Sequence, residues 1–389
     1  MKKLHHPGTP CNKEIKDIDL KVANLGNNLE AVISSEGWGL FGKDFWWASD
    51  NEIHGLDKNM QIIYIDLPRI NDFTGWGFYS PINLEIELTR DCNQDCIHCW
   101  NESGDKISLD TKILDEIITE FREGGGQRIS ITGGEPLMYK NLFSFLDLAK
   151  RKGIRFIDLS SNGSLIDEKK AELLSHYLTR IHISLHGGNS KIHNKIVQRE
   201  NFDATVNSIK YLNQKGVEVV INYTIMRGNA KSILDVFELS KSLGGNRIRF
   251  NLVRNEGRGK SLEKISQEEV FILRKIIEEL SERTGVPLKR SELYPEGYYK
   301  DVGEAKFYGC SALRTSLYLD AYGNFLPCSL APISIGNIRK DSLIRVWGGN
   351  LSNKIRKITY CENLSCSLSC GGRCKAKEIS CLETQKDAK

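Results

Sequence analysis

Two hydrophobic periods take turns along the middle of the chain. The run Ile82-Asn83-Leu84-Glu85-Ile86-Glu87-Leu88 alternates apolar and polar residues, the period of a strand. Beyond it, Ile113, Leu114, Ile117, Ile118 and Phe121 recur on one helical face. Asp110 can cap that helix and Gly124-Gly125-Gly126 can end it. The alternation continues, predicting strands over 128–132, 154–159, 181–185, 217–225 and 248–253. Helices are predicted over 142–152, 168–178, 204–214, 232–243 and 267–283. Six strands alternating with helices predict an α/β fold with a parallel sheet and right-handed crossovers.

The flanks read differently. Residues 1–80 are rich in aromatics and glycines, as in Gly37-Trp38-Gly39-Leu40-Phe41-Gly42, and Gln61 to Leu67 reads as a strand. No run of amphipathic helices stands there, so a small β-rich unit is expected. Tyr294 to Tyr308 is broken by Pro295, Gly297 and Gly303 and reads as a linker. The division expected is 1–80, 81–300 and 301–389.

Composition narrows the class. The chain has 389 residues, 40% hydrophobic and 27% charged, as in a water-soluble globular protein. With 54 basic against 50 acidic residues, the charge is too balanced to argue for nucleic acid or a membrane surface. No apolar run reaches the length of a membrane span, and the start lacks the apolar core of a signal peptide. A cytoplasmic location is expected. Eleven cysteines are many for that compartment, where metal binding accounts for them better than disulfides.

The distribution of these cysteines carries the chemistry. Cys92, Cys96 and Cys99 form a C-x3-C-x2-C loop directly after the first predicted strand, where active-site groups of α/β barrels collect. Three close thiolates suit a soft metal. A [4Fe–4S] cluster held by three of them keeps one iron without a protein ligand. The alternative is a structural zinc loop that borrows a distant fourth cysteine. None lies between Cys99 and Cys310, so a second metal region follows.

The Cys92/Cys96/Cys99 loop resembles the cluster motif of the radical S-adenosylmethionine (SAM) superfamily. Gly133-Gly134-Glu135-Pro136, after the second strand, resembles that family's GGEP segment, which binds the SAM amino group. The resemblance implies a partial (β/α)6 barrel, open on one side. It also implies SAM on the unique iron, cleaved reductively to a 5′-deoxyadenosyl radical that abstracts hydrogen from substrate. Further along, Ser161 and Asn162 match polar contacts to the SAM ribose, Ser184 lies on the fourth strand, and Arg199 is a candidate fork for the SAM carboxylate. His186 stands where many relatives have Asp, either titrating near neutrality or hydrogen-bonded within the barrel. His98 and Trp100 are expected to pack over cluster and adenine.

The C-terminal cysteines resemble the SPASM extension. Cys310 and Cys328 bracket Gly323 at the spacing of that pattern, followed by Cys361, Cys366, Cys370, Cys374 and Cys381, with Cys366 displaced by two. The resemblance implies two auxiliary [4Fe–4S] clusters, one on Cys310, Cys328 and Cys374 and one on Cys361, Cys366, Cys370 and Cys381. That makes three clusters in all, with Cys11 left over. The first auxiliary cluster would lack a fourth cysteine among those assigned, and water, Asp301, Glu304, Asp320, Cys11 or a substrate thiolate are candidates for its open iron.

The function expected is modification of a peptide or protein side chain by thioether or carbon–carbon cross-linking, oxidation or epimerisation. A reductant such as flavodoxin or ferredoxin is the expected partner. Ser329 occupies the place of the proposed catalytic Asp of sulfatase-maturing relatives, which disfavours that activity and leaves the catalytic side chain unassigned. The alternatives are modification of a small molecule or tetrapyrrole, and a non-enzymatic iron–sulfur electron carrier.

Overall fold

A computed structural model describes residues 80–101, 105–289 and most of 312–356, together with the backbone of four strands between 21 and 49. The strand expected at 61–67 lies outside the described residues, as do Cys11, Cys310, Cys361, Cys366, Cys370, Cys374 and Cys381. The four strands are β1 (Lys21–Gly26), β2 (Leu29–Ser34), β3 (Gly37–Phe41) and β4 (Trp46–Ser49). They pair antiparallel in chain order, a meander.

The main sheet begins at β5 (Asn83–Thr89) and continues through β6 (Arg128–Gly133), β7 (Phe156–Ser161), β8 (Arg180–Ser184), β9 (Glu218–Ile225) and β10 (Arg247–Leu252). All six are parallel and stand side by side in chain order. Each of the six strands expected between 82 and 253 is present within about two residues of its predicted bounds, the usual uncertainty of an element end. After β10 the chain returns beside that strand once more. Ile248 donates to the carbonyl of Pro287 (3.1 Å) and accepts from the backbone N–H of Lys289 (2.8 Å). Among the described residues β10 has no partner on the β5 side, so this is an open partial barrel.

The helices are α1 (Thr111–Glu123), α2 (Leu142–Arg151), α3 (Glu168–Ser175), α4 (Ser190–Val197), α5 (Phe202–Gln214), α6 (Ile233–Ser242) and α7 (Gln267–Thr284). The Asp110 carboxylate accepts from the backbone N–H of Lys112 at 2.7 Å and starts α1, whose Leu114, Ile117, Ile118 and Phe121 are buried. A capping box of Ser266 and Glu269 starts α7.

Strand alternation gives the barrel two chemically distinct faces. Leu84, Ile86 and Leu88 of β5, with Ile129, Ile131, Ile157 and Leu159, enter the core. The intervening positions are polar. Across β6, β7, β8, β9 and β10 they form a ladder of ions. Arg128 pairs with Asp158, Asp158 lies 3.5 Å from Arg180, Arg180 meets Glu218 at 3.0 Å, and Glu218 faces Arg247 at 3.9 Å.

The C-terminal region continues the same sheet. β11 (Ser316–Leu319) runs parallel to β5, and β12 (Asn324–Leu326) and β13 (Gly336–Asn337) follow antiparallel. The expected boundary at 300 therefore does not coincide with a break in the sheet. Two short helices follow, α8 (Leu343–Trp347) and α9 (Asn350–Arg356). The Glu120 carboxylate of α1 accepts from the N–H groups of Leu343 (2.8 Å) and Ile344 (3.0 Å), so the barrel caps α8.

The ladder yields the first prediction. Arg180→Met removes a buried cation from between two carboxylates. Unfolding in urea should show a loss of about 3–5 kcal/mol, the usual cost of breaking a buried pair. A loss under about 1 kcal/mol, typical of exposed pairs, would mean that the ladder is solvated.

Candidate functional site

The segment from Arg90 to Asn101 has no regular secondary structure, so its backbone groups must find partners elsewhere. They find them on several sides. Asp95 and Ile97 donate their N–H groups to the carbonyls of Val197 (3.3 Å) and Ile196 (2.9 Å) at the end of α4. Arg90 donates to the Ile107 carbonyl at 2.8 Å. The Cys99 carbonyl accepts from the N–H of Arg258 at 2.8 Å, and Cys99 donates to the Cys96 carbonyl at 3.1 Å.

The Asn93 side chain ties this loop to the turn after β7. Its amide oxygen accepts from the Asn162 side chain at 2.8 Å and its amide nitrogen donates to Ser164 Oγ at 2.9 Å. Its carbonyl accepts from Arg199 Nε at 3.3 Å, and the same guanidinium reaches Asp95 at 2.5 Å. Arg199 is thus engaged with the loop itself.

The Gly133–Pro136 turn stands against the start of the loop. Gly134 donates to the Thr89 carbonyl at 2.7 Å and Glu135 to the Asp91 carbonyl at 2.8 Å. A Cβ on Gly134 would lie 2.3 Å from the Asp91 carbonyl oxygen, so glycine is required there for approach to the protein's own backbone. The Glu135 carboxylate is fully buried and accepts from Leu137 N (3.1 Å), Ser161 Oγ (2.8 Å) and Asn162 N (2.7 Å). Burial pushes it up to about 7, against the pull of those donors. Glu135, Ser161, Asn162 and Asn93 are therefore one connected network, while Ser184 sits apart at the end of β8, in register with Asn222 of β9.

Burial, reinforced by neighbouring negative groups, pushes Cys92 up to about 11 and Cys96 up to about 12. The other sulfurs of the loop are among those groups, so without a metal Cys92 and Cys96 are protonated, and loading the loop with a cation releases protons. Among the described residues no three His, Cys, Asp or Glu side chains converge on a point fit for a single ion. A cubane, which takes each cysteine at a different iron, fits sulfurs spaced along one loop.

His186 is a hydrogen-bonded barrel histidine. It is 3% exposed, its Nδ1 accepts from Thr224 N at 3.2 Å, and its backbone N–H donates to His193 Nδ1 at 3.2 Å. Burial and the neighbouring His98 and His193 hold it well below the ordinary histidine range, so it is neutral near pH 7. His98 packs edge-on against it with ring centroids 4.4 Å apart. Trp100 is partly exposed, with the Arg90 guanidinium 6.0 Å from its ring centre. Asp320, a candidate iron ligand, forms the turn before β12, accepting from the N–H groups of Tyr322 (3.0 Å) and Asn324 (2.7 Å). Cys328 lies just after β12 and is partly buried.

Sequence reasoning missed Asn93, Asp95 and the Gly257–Ser261 turn after β10. Gly257 has φ +56°, and a Cβ there would lie 2.4 Å from the Cys99 carbonyl oxygen. Two glycines shortly after a strand, at 257 and 259, were the available signal.

Comparison with known proteins settles the family. The model of the radical SAM superfamily matches residues 86–240, and that of the SPASM iron–sulfur cluster-binding domain matches 310–374. The chain belongs to the radical SAM superfamily and carries a SPASM region. Radical SAM relatives of different activity are similar to it. The AdoMet-dependent heme synthase of Methanosarcina barkeri is 25% identical over 334 residues, 79% of this chain and 95% of that protein. The Bacillus subtilis subtilosin biosynthesis protein AlbA is 27% identical over 317 residues, 76% of this chain and 67% of that protein. Streptococcus suis SuiB, bound to its precursor peptide SuiA, shares the fold with a TM-score of 0.64 at 20% identity, over 78% of this chain and 73% of that one.

The close approach at Gly134 gives a second prediction. Gly134→Ala should lower iron bound at the Cys92 loop and weaken SAM binding, while the far-ultraviolet circular dichroism stays that of the parent. Normal iron content and SAM affinity in this variant would show that the turn can retreat freely from the loop.

Proposed function

We propose that this radical SAM enzyme modifies a side chain of a peptide or protein. A [4Fe–4S] cluster with SAM on its open iron supplies reductive cleavage of SAM and a radical that abstracts hydrogen. Cys92, Cys96 and Cys99 are the proposed ligands. The N–H groups of Gly134 and Glu135 are committed to Thr89 and Asp91. Carbonyl oxygens are then what this turn offers a ligand, the polarity required by the SAM ammonium. Ser161 and Asn162 would flank the ribose while bracing Glu135. Arg199 acts on the loop as a clamp, and Ser184 is a more distant candidate contact.

The observation that carries the peptide reading is the sheet, which among the described residues does not close from β10 back to β5; an opening there would admit an extended chain. The precursor peptide bound to SuiB and the bacteriocin role in the name of AlbA support it. The SPASM cysteines would hold two auxiliary clusters, with Cys310, Cys328 and Cys374 on one and Cys361, Cys366, Cys370 and Cys381 on the other. They would pass an electron on after hydrogen abstraction, and a flavodoxin or ferredoxin would reduce the SAM cluster. A second reading, modification of a tetrapyrrole, is favoured by the heme synthase match over 95% of that protein.

Reconstituted enzyme given SAM and dithionite should form 5′-deoxyadenosine, and a variant with Cys92, Cys96 and Cys99 all replaced by Ala should form none. Absence of the product from the parent would overturn the enzyme reading. Incubation with a precursor peptide encoded beside this gene should change the peptide's mass. Modification of a porphyrin with the peptide untouched would favour the second reading.

A further inference from the structure

Several strands of the main sheet carry carboxylates at their polar positions, and most are engaged. Asp158 and Glu218 belong to the ion ladder. Glu87 is buried, accepts from the backbone N–H of Ala321 at 3.0 Å and faces Arg90 at 3.8 Å. Asp320 closes its turn. Glu85 lies in the same alternation on β5, between the core residues Leu84 and Ile86. It makes no hydrogen bond or close ion pair with a described residue. Its side chain keeps partial solvent contact although burial raises its pKa.

Its neighbour is also unused. Tyr318 of β11 is in direct register with Glu85 across the parallel pair. Tyr318 is 1% exposed, and its hydroxyl has no hydrogen-bond partner among the described residues. Buried hydroxyls of this kind are rare, because each costs free energy unless something satisfies it. The surroundings of this phenol include the carboxylates Glu87, Glu85 and Asp320 and the cation Arg90. Arg249 and Arg254 of the β10 side favour the ionised form of Glu85 and make interactions of their own. The pair lies four residues before the end of β5, about 13 Å along the strand at ~3.3 Å per residue.

We propose that Glu85 and Tyr318 form a substrate subsite on the β5–β11 wall that takes a protonated nitrogen, a lysine-type side chain or an amino terminus, of a peptide. The carboxylate accepts the charged donor, and the phenol oxygen accepts a second N–H of the same group. This subsite rests on the peptide-modifying reading and gives it a specificity: a basic group that reaches the β5–β11 wall about 13 Å from the end of β5.

Binding by reconstituted holoenzyme with SAM tests it, read by anaerobic calorimetry. The probes are N-acetyl-lysine-N-methylamide and its glutamine counterpart. The parent should prefer the lysine probe by about tenfold or more, the scale of a charge-assisted hydrogen bond. Glu85→Gln should bring that preference close to unity while the glutamine probe still binds, which also shows that the subsite still admits a probe. Tyr318→Phe, read by the same ratio, should reduce it by a smaller factor. A parent that does not distinguish the probes, or a ratio retained in both variants, overturns the subsite. These outcomes do not depend on turnover, so the subsite and the radical SAM activity can fail separately.

Discussion

The main-chain docking of the cysteine loop is the constraint on which the rest depends. A segment without helix or strand cannot satisfy its own backbone groups, and here the partners come from four separate places. The end of α4 takes Asp95 and Ile97, Ile107 takes Arg90, the turn after β6 takes Thr89 and Asp91, and the turn after β10 takes Cys99. The sheet places the last two turns directly, because each follows one of its strands. The order of the strands thus decides where the three thiols stand. The Asn93 side chain adds the β7 turn to the same assembly through Asn162 and Ser164. A loop held from so many sides is organised before any cofactor arrives, which lowers the ordering cost of binding one.

The polar positions of the sheet divide their charges by function. From Arg128 to Arg247 they neutralise one another in a cross-strand ladder, and removal of a single member leaves a buried charge without its counterpart. On the β5–β11 side the pattern changes. Glu87 and Asp320 hold the hairpin that joins the SPASM region to the barrel, while Glu85 and Tyr318 have no such task. Stability is concentrated in one part of the wall and unspent hydrogen-bonding capacity in another.

Much of this was legible in the sequence. The alternation in 82–88 and the apolar face of 113–121 reported β5 and α1 because each element buries a single face. The spacing of Cys92, Cys96 and Cys99 and the GGEP turn pointed to the family. What could not be read is what depends on distant partners. The role of Gly134 is an approach to Asp91, more than forty residues earlier in the chain. Arg199 meets Asp95 across a separation of 104 residues. Helix α4 is only 8 residues long and mixes polar with apolar positions, so its period is too short to stand out. β11 has four buried residues and no alternation to reveal it.

The central claim is that the loop from Arg90 to Asn101 holds a cluster whose open iron takes SAM. Electron paramagnetic resonance of the reconstituted, dithionite-reduced protein, recorded with and without SAM, tests it most directly. The account predicts that SAM shifts the signal of one cluster, and that this component is missing when Cys92, Cys96 and Cys99 are replaced together. A spectrum that SAM leaves unchanged, or a SAM-sensitive component that survives the triple replacement, would contradict it.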